Sequence, residues 1–129
     1  MWSNPKVEIW RSEQHRRNVA TLPCAACGRR NYTQAAHIGA LADGKGLGWK
    51  VSDSRVASLC TLHPSFLAGA RHTLEDGCHE KFDRREWLDI EGVLYDLSDE
   101  SIYERASWVL LGRTYVLLIE GGLLKVRRA

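Results

Sequence analysis

The stretch Leu22-Pro23-Cys24-Ala25-Ala26-Cys27-Gly28 carries two cysteines two residues apart, and single cysteines follow at Cys60 and in Cys78-His79. Two-residue spacing lets neighbouring thiolates share one ion, and a glycine directly after the pair lets the backbone turn its amides toward the sulfurs. Zinc takes four such ligands in a tetrahedron, so the pair needs two distant partners. Cys60 is the natural third. The fourth is Cys78 or His63, since Cys60-x-x-His63 repeats the two-residue spacing; Cys78 is preferred, because His79 then stands where a helix carrying chemistry begins. A zinc held this way folds a small β-ribbon that cannot bury enough apolar surface alone.

Working outward, Ser12 caps a short helix through Glu13, His15, Arg16 and Val19 that stops before Leu22-Pro23. Thr33 to Ile38 reads as a strand ending at His37, and Arg55 to Cys60 as a second strand that returns Cys60 to the first cysteine pair. Between them Gly39 to Gly48 is a glycine-rich loop, and Thr61 to Gly77 is an insertion without periodicity. A helix is predicted from Cys78 to about Asp89, followed by a linker or brief strand to Leu97. Ser101-x-x-Glu104 is a capping-box signature for a last helix, about Ser101 to Glu120, which Gly121-Gly122 stops. Its consecutive apolar residues, Val109 to Leu111 and Val116 to Ile119, ask for burial on more than one side. The helix therefore pairs with its copy in a homodimer or is covered by the N-terminal helix and Trp10. The predicted organisation is α+β: a zinc-stapled core with its N-terminal helix over residues 1–95, and a C-terminal helical arm over residues 96–129.

The 129 residues and five tryptophans are ample for one packed domain. Net charge is only +2, so composition does not announce nucleic-acid binding, but the cations are clumped at Arg16-Arg17, Arg29-Arg30, Arg84-Arg85 and Arg127-Arg128. The N-terminus lacks the apolar run that export requires, and the stretch from Trp108 to Ile119 is too short to span a bilayer. The expectation is a cytoplasmic chain without a membrane partner, where thiols meet metals more often than they form disulfides.

Taken together, Cys24-x-x-Cys27-Gly28, Ala36-His37-Ile38, the Gly/Lys loop, Asp53-Ser-Arg-Val-Ala-Ser-Leu-Cys60 and Cys78-His79-x-x-x-Asp83 resemble the HNH, or ββα-metal, endonucleases. More narrowly they resemble the phage and prophage group related to the RecA-dependent recombination nuclease. The resemblance covers roughly residues 20 to 90. It implies a small ββα-metal core and hydrolysis of DNA phosphodiester bonds, with DNA as the partner. His37 falls where the family carries its general base. His79 and Asp83, four apart on one helix face, fall where it holds a divalent ion, and an Asp ligand tilts that ion toward Mg²⁺ or Mn²⁺.

Lys45, Lys50, Arg55, Arg84 and Arg85 are the cations expected on the DNA phosphates. Two positions depart from the pattern. Ala36 stands where many members place a metal-binding His or Asp, and Arg55 where Asn is frequent; Asp43 or Asp53 is the candidate for the missing ligand. These departures favour the rival reading, a catalytically inactive zinc module that binds DNA or a recombination protein. A phosphate-binding NTPase loop is excluded, because Gly39-x-x-x-x-Gly44-Lys45 continues with Gly46 in place of Ser or Thr.

Overall fold

The computed structural model describes residues 11–38, 52–64 and 74–124. Asp43, Lys45, Lys50 and Trp10 lie outside these residues. The described chain is mixed α+β, with three two-stranded antiparallel ribbons and three helices. No helix among the described residues is long and apolar enough to cross a membrane.

Helix α1 spans Glu13–Ala20. Its cap is Ser12, whose hydroxyl accepts from the His15 amide at 3.1 Å, and the Glu13–Arg17 pair bridges its exposed face at 2.6 Å. Strands β1 (Thr33–His37) and β2 (Val56–Cys60) pair antiparallel, with Thr33 opposite Cys60 and His37 opposite Val56. A 3-10 turn over Asp53–Arg55 leads into β2. Side chains alternate along β1, so Gln34 and Ala36 share one face and Thr33, Ala35 and His37 the other. The second face receives α1: Ala35 packs with Val19, Leu22 and Val56, and the Thr33 hydroxyl donates to the Ala20 carbonyl.

Every residue of β2 is buried. Its outer edge is closed without a third strand, since the Ser58 amide donates to Thr114 Oγ1 at 3.2 Å and the Ser58 carbonyl accepts from the Ala25 amide at 2.7 Å. Both backbone groups are thereby satisfied in the interior.

A two-residue ladder between β3 (His63–Pro64) and β4 (Leu74–Glu75) closes the insertion at its base. Helix α2 then runs over Cys78–Asp83, shorter than the sequence predicts. The segment expected to continue it forms instead β5 (Trp87–Ile90), paired with β6 (Val93–Asp96) around a two-residue turn in which Glu91 and Gly92 both have positive φ, 50° and 86°. The reason is the alternation of this stretch: Leu88 and Ile90 point into the core while Trp87 and Asp89 face out, a period-two pattern that a helix cannot bury.

Helix α3 covers Glu100–Glu120. Its cap is Asp99, not Ser101; the Asp99 carboxylate accepts from the Ser101 and Ile102 amides at 3.0 and 3.1 Å, so Ser101 lies inside the first turn. The segment read as an arm contributes Tyr103, Ala106, Leu110 and Leu111 to the same core as Cys24, Cys60, Cys78 and Phe82. Leu118 packs with Val19 of α1 and with Leu22 just beyond it, and Tyr115 stacks on His15. Helix α1 thus covers one side of α3, while Trp108, Val116 and Ile119 remain exposed.

Gly77, just ahead of α2, sits against the Cys60 backbone. A Cβ there would lie 2.2 Å from the Cys60 carbonyl oxygen. Gly77→Ala is therefore expected to cost about 1–3 kcal/mol of overpacking and to weaken metal retention by pushing Cys78 away from Cys60. Thermal melting and metal content of the variant check this; a wild-type melt would show that the backbone there yields freely.

Candidate metal centre and the histidines around it

Three elements deliver the thiols. The turn after α1 supplies Cys24 and Cys27, the end of β2 supplies Cys60, and the first residue of α2 is Cys78. The turn is held by the Gly28 amide on the Cys24 carbonyl (2.9 Å) and the Cys24 amide on the Arg29 carbonyl (2.8 Å), with Gly28 at φ 81°. Its outer side is tied down by the Glu91 amide on the Ala26 carbonyl and by Arg113, which donates to the Ala25 carbonyl and pairs with Glu91.

The four Sγ atoms all lie within 4.8 Å of one another, and Cys27 and Cys60 are 3.7 Å apart. A tetrahedral ion with bonds of about 2.3 Å spaces its sulfurs by about 3.8 Å. All four cysteines are free, so the cluster is not a pair of disulfides. The Cys78 amide also donates to Cys60 Sγ at 3.3 Å, the kind of backbone bond that stabilises a thiolate.

Without an ion the cluster resists full ionisation. Hydrogen bonds from Cys27, then Cys60 and Cys78, push the Cys24 thiol well below its usual range, and the same contacts push Cys60 and Cys78 well above theirs. Four thiolates at this spacing need a cation, and the set fits a metal ion such as zinc. His63 does not belong to it: its Nδ1 lies 3.0 Å from the Thr61 carbonyl and its Nε2 3.4 Å from Glu75.

A second group sits on the α2 side of β1. His79 and Asp83, one turn apart, approach to 3.3 Å between Nε2 and Oδ2, while His79 Nδ1 donates to Gln34 Oε1 at 3.1 Å. Among the described residues no third His, Cys, Asp or Glu completes this pair. Ala36, on the same strand face as Gln34, contributes only a buried methyl.

His37 points the other way. Its Nε2 lies 2.9 Å from Asp53 Oδ1. Asp53 is fully buried and also receives the Ser12 amide (2.7 Å), Arg11 (3.2 Å) and Arg16. Burial alone would raise its carboxyl, yet the Ser12 amide, His37 and Arg16 hold it at about 2. Asp53, offered by the sequence as a substitute metal ligand, is thus committed to four donors away from His79 and Asp83. The carboxylate ties the start of α1 to the end of β1.

Of the expected phosphate clamps, Arg55, Arg84 and Arg85 lie among the described residues, and each is engaged within the fold. Arg84 is bound by Asp76 and Glu86, and Arg85 pairs with Glu100 at 2.7 Å and lies 3.7 Å over the Tyr103 ring. The Arg55 guanidinium lies 5.2 Å from the Trp108 ring centre. Sequence reasoning did not find Gln34 or the Arg11–Asp53–Arg16 cluster, since no local spacing marks a partner 37 to 45 residues away. No protein-family model, curated protein or solved structure matches this chain.

Proposed function

We propose that this chain is a metal-dependent DNA endonuclease or nickase of the HNH kind, with zinc in the four-thiol site and Mg²⁺ or Mn²⁺ at His79 and Asp83. The observation that carries the reading is the unit formed by β1, β2 and α2. One helix begins with a thiol of the metal cluster and, one residue later, presents a His/Asp pair against β1, the strand that ends in His37. A site of four thiolates is closed to substrate, so its metal is structural and the reaction belongs to the histidines.

In this reading the His37 imidazole takes a proton from water as the water oxygen attacks phosphorus. The bond from phosphorus to the 3′ oxygen breaks, and the leaving oxygen takes its proton from solvent. A divalent ion held by His79 and Asp83 would supply charge stabilisation at the reacting phosphate. Gln34 holds His79 Nδ1–H and so leaves Nε2, the nitrogen facing Asp83, as the ligand atom.

Plasmid nicking with Mg²⁺, with Mn²⁺ and with EDTA tests the reading. Asp83→Ala is expected to raise the half-saturating metal concentration about tenfold or more, since one of two anchoring side chains is lost. An unchanged metal titration would place the ion elsewhere. The second reading, a module that binds DNA or a recombination protein without cleaving, is favoured by the methyl of Ala36 and by the neutralised Arg84 and Arg85. DNA retention in a gel shift without nicking in either metal would establish it.

A further inference from the structure

We propose that Asp53 is the positioning residue of His37, its buried carboxylate holding the imidazole as the Nε2–H tautomer and leaving Nδ1 as the ring's only proton acceptor. This rests on the reading of His37 as general base. The geometry comes from four donors converging on one carboxylate. Oδ1 faces His37 Nε2 at 2.9 Å and Arg11 at 3.2 Å; Oδ2 faces the Ser12 amide at 2.7 Å and Arg16.

An amide and two guanidiniums have no lone pair to offer, so Asp53 acts toward them only as an acceptor. A carboxylate in that setting stays ionised and can meet an imidazole nitrogen only if that nitrogen carries the proton. The ring proton therefore sits on Nε2. Asp53 is fully buried while the His37 side chain is 37% exposed, so the fixed partner is the carboxylate and the accessible one is the ring. A base whose orientation is set by a rigid neighbour avoids losing effective rate to ring rotation and to the wrong tautomer.

The arrangement makes a specific prediction for Asp53→Asn, which keeps the size of the side chain. The Oδ2 position faces two obligate donors, the Ser12 amide and Arg16, so the amide oxygen must take that side. The amide nitrogen then falls on His37 and donates to Nε2. The ring can answer only by moving its proton to Nδ1, which removes the lone pair the reaction uses. Arg11, on the surface, turns away from the new amide hydrogens. In a Ser-His-Asp triad the equivalent change strands the proton in the same way and slows turnover about 10⁴-fold.

The test reads the ring directly. In ¹⁵N spectra of the histidine ring nitrogens, wild-type His37 should carry its proton on Nε2 and Asp53→Asn should carry it on Nδ1. With Mg²⁺, nicking by the variant should fall at least about 10²-fold while the half-saturating DNA concentration stays within about twofold. Arg11→Gln, which loosens the same carboxylate without touching the ring, should leave the tautomer on Nε2.

An unchanged tautomer in Asp53→Asn, or wild-type nicking by that variant, overturns the proposal. Should Asp53→Asn fail to fold, judged by lost metal and collapsed amide dispersion, wild type and Arg11→Gln decide. A proton on Nδ1 of wild-type His37 overturns the proposal; a proton on Nε2 in both supports it. A chain that shows the tautomer reversal yet nicks no plasmid in Mg²⁺ or Mn²⁺ rejects the nuclease reading and leaves the hold of Asp53 on the ring standing.

Discussion

Cys24→Ser will release the bound metal and abolish the cooperative melt of this chain. Cys24, Cys60 and Cys78 are buried within the main core, beside Ala36, Leu59, Phe82 and Leu110, so an ion held by the cluster would join a turn, a strand end and a helix start at the centre of the packing. Apparent binding free energies of structural zinc are about 10–16 kcal/mol in small zinc-folded units, as large as the whole stability of an ordinary domain at about 5–15 kcal/mol. Losing one thiolate of four leaves the others crowded and undercompensated. Elemental analysis should give one zinc per wild-type chain, and chelator should melt the fold at room temperature. His63→Ala should keep full zinc, because His63 is held by Thr61 and Glu75 away from the sulfurs. A Cys24→Ser chain with normal zinc and an unshifted melt would show that the thiol cluster does not staple the core.

Under the proposed nuclease function, His37→Ala should reduce nicking by about 10²–10⁴-fold, the range a positioned general base supplies. DNA affinity should change little, because a base acts on the transition state and not on the bound substrate. Stability should fall by only about 1 kcal/mol: Asp53 loses one donor and keeps the Ser12 amide, Arg11 and Arg16. Gel shift, thermal melting and a plasmid assay on one preparation separate these effects. Wild-type nicking by His37→Ala would remove this histidine from the reaction.

Local patterns in the chain carried much of this architecture. The Cys24-x-x-Cys27-Gly28 spacing announces a metal-binding turn because two thiols and a left-handed glycine are neighbours in sequence as well as in space. Ser12 as a cap, the two strands ending at His37 and Cys60, and the four-residue step from His79 to Asp83 are legible for the same reason: one turn or one pleat fixes each of them. Where two local patterns competed, the reading failed. Cys78 to Asp89 carries a helix start followed by strand alternation, and only the burial of Leu88 and Ile90 against the core shows where one yields to the other.

The polar partnerships were a matter for the tertiary structure alone. Asp53 meets Ser12 across 41 residues, His79 meets Gln34 across 45, and Ser58 meets Thr114 across 56. Asp53 and Ser58 are buried groups that must find partners once packing removes water, while His79 and Gln34 meet at the surface where α2 lies against β1; in each case packing, not spacing, decides which partner is near. The same holds for Arg84 and Arg85, a basic pair in sequence whose charges the fold spends on Asp76, Glu86 and Glu100. The sequence by itself determined the cysteine pair, its return partner Cys60 and the helix and strand that bear the histidines, while the tertiary structure chose Cys78 over His63 as the fourth member of the cluster. Only the tertiary structure decided what each histidine meets, because residue order fixes which face of the strand or helix a side chain takes but not which element packs against that face.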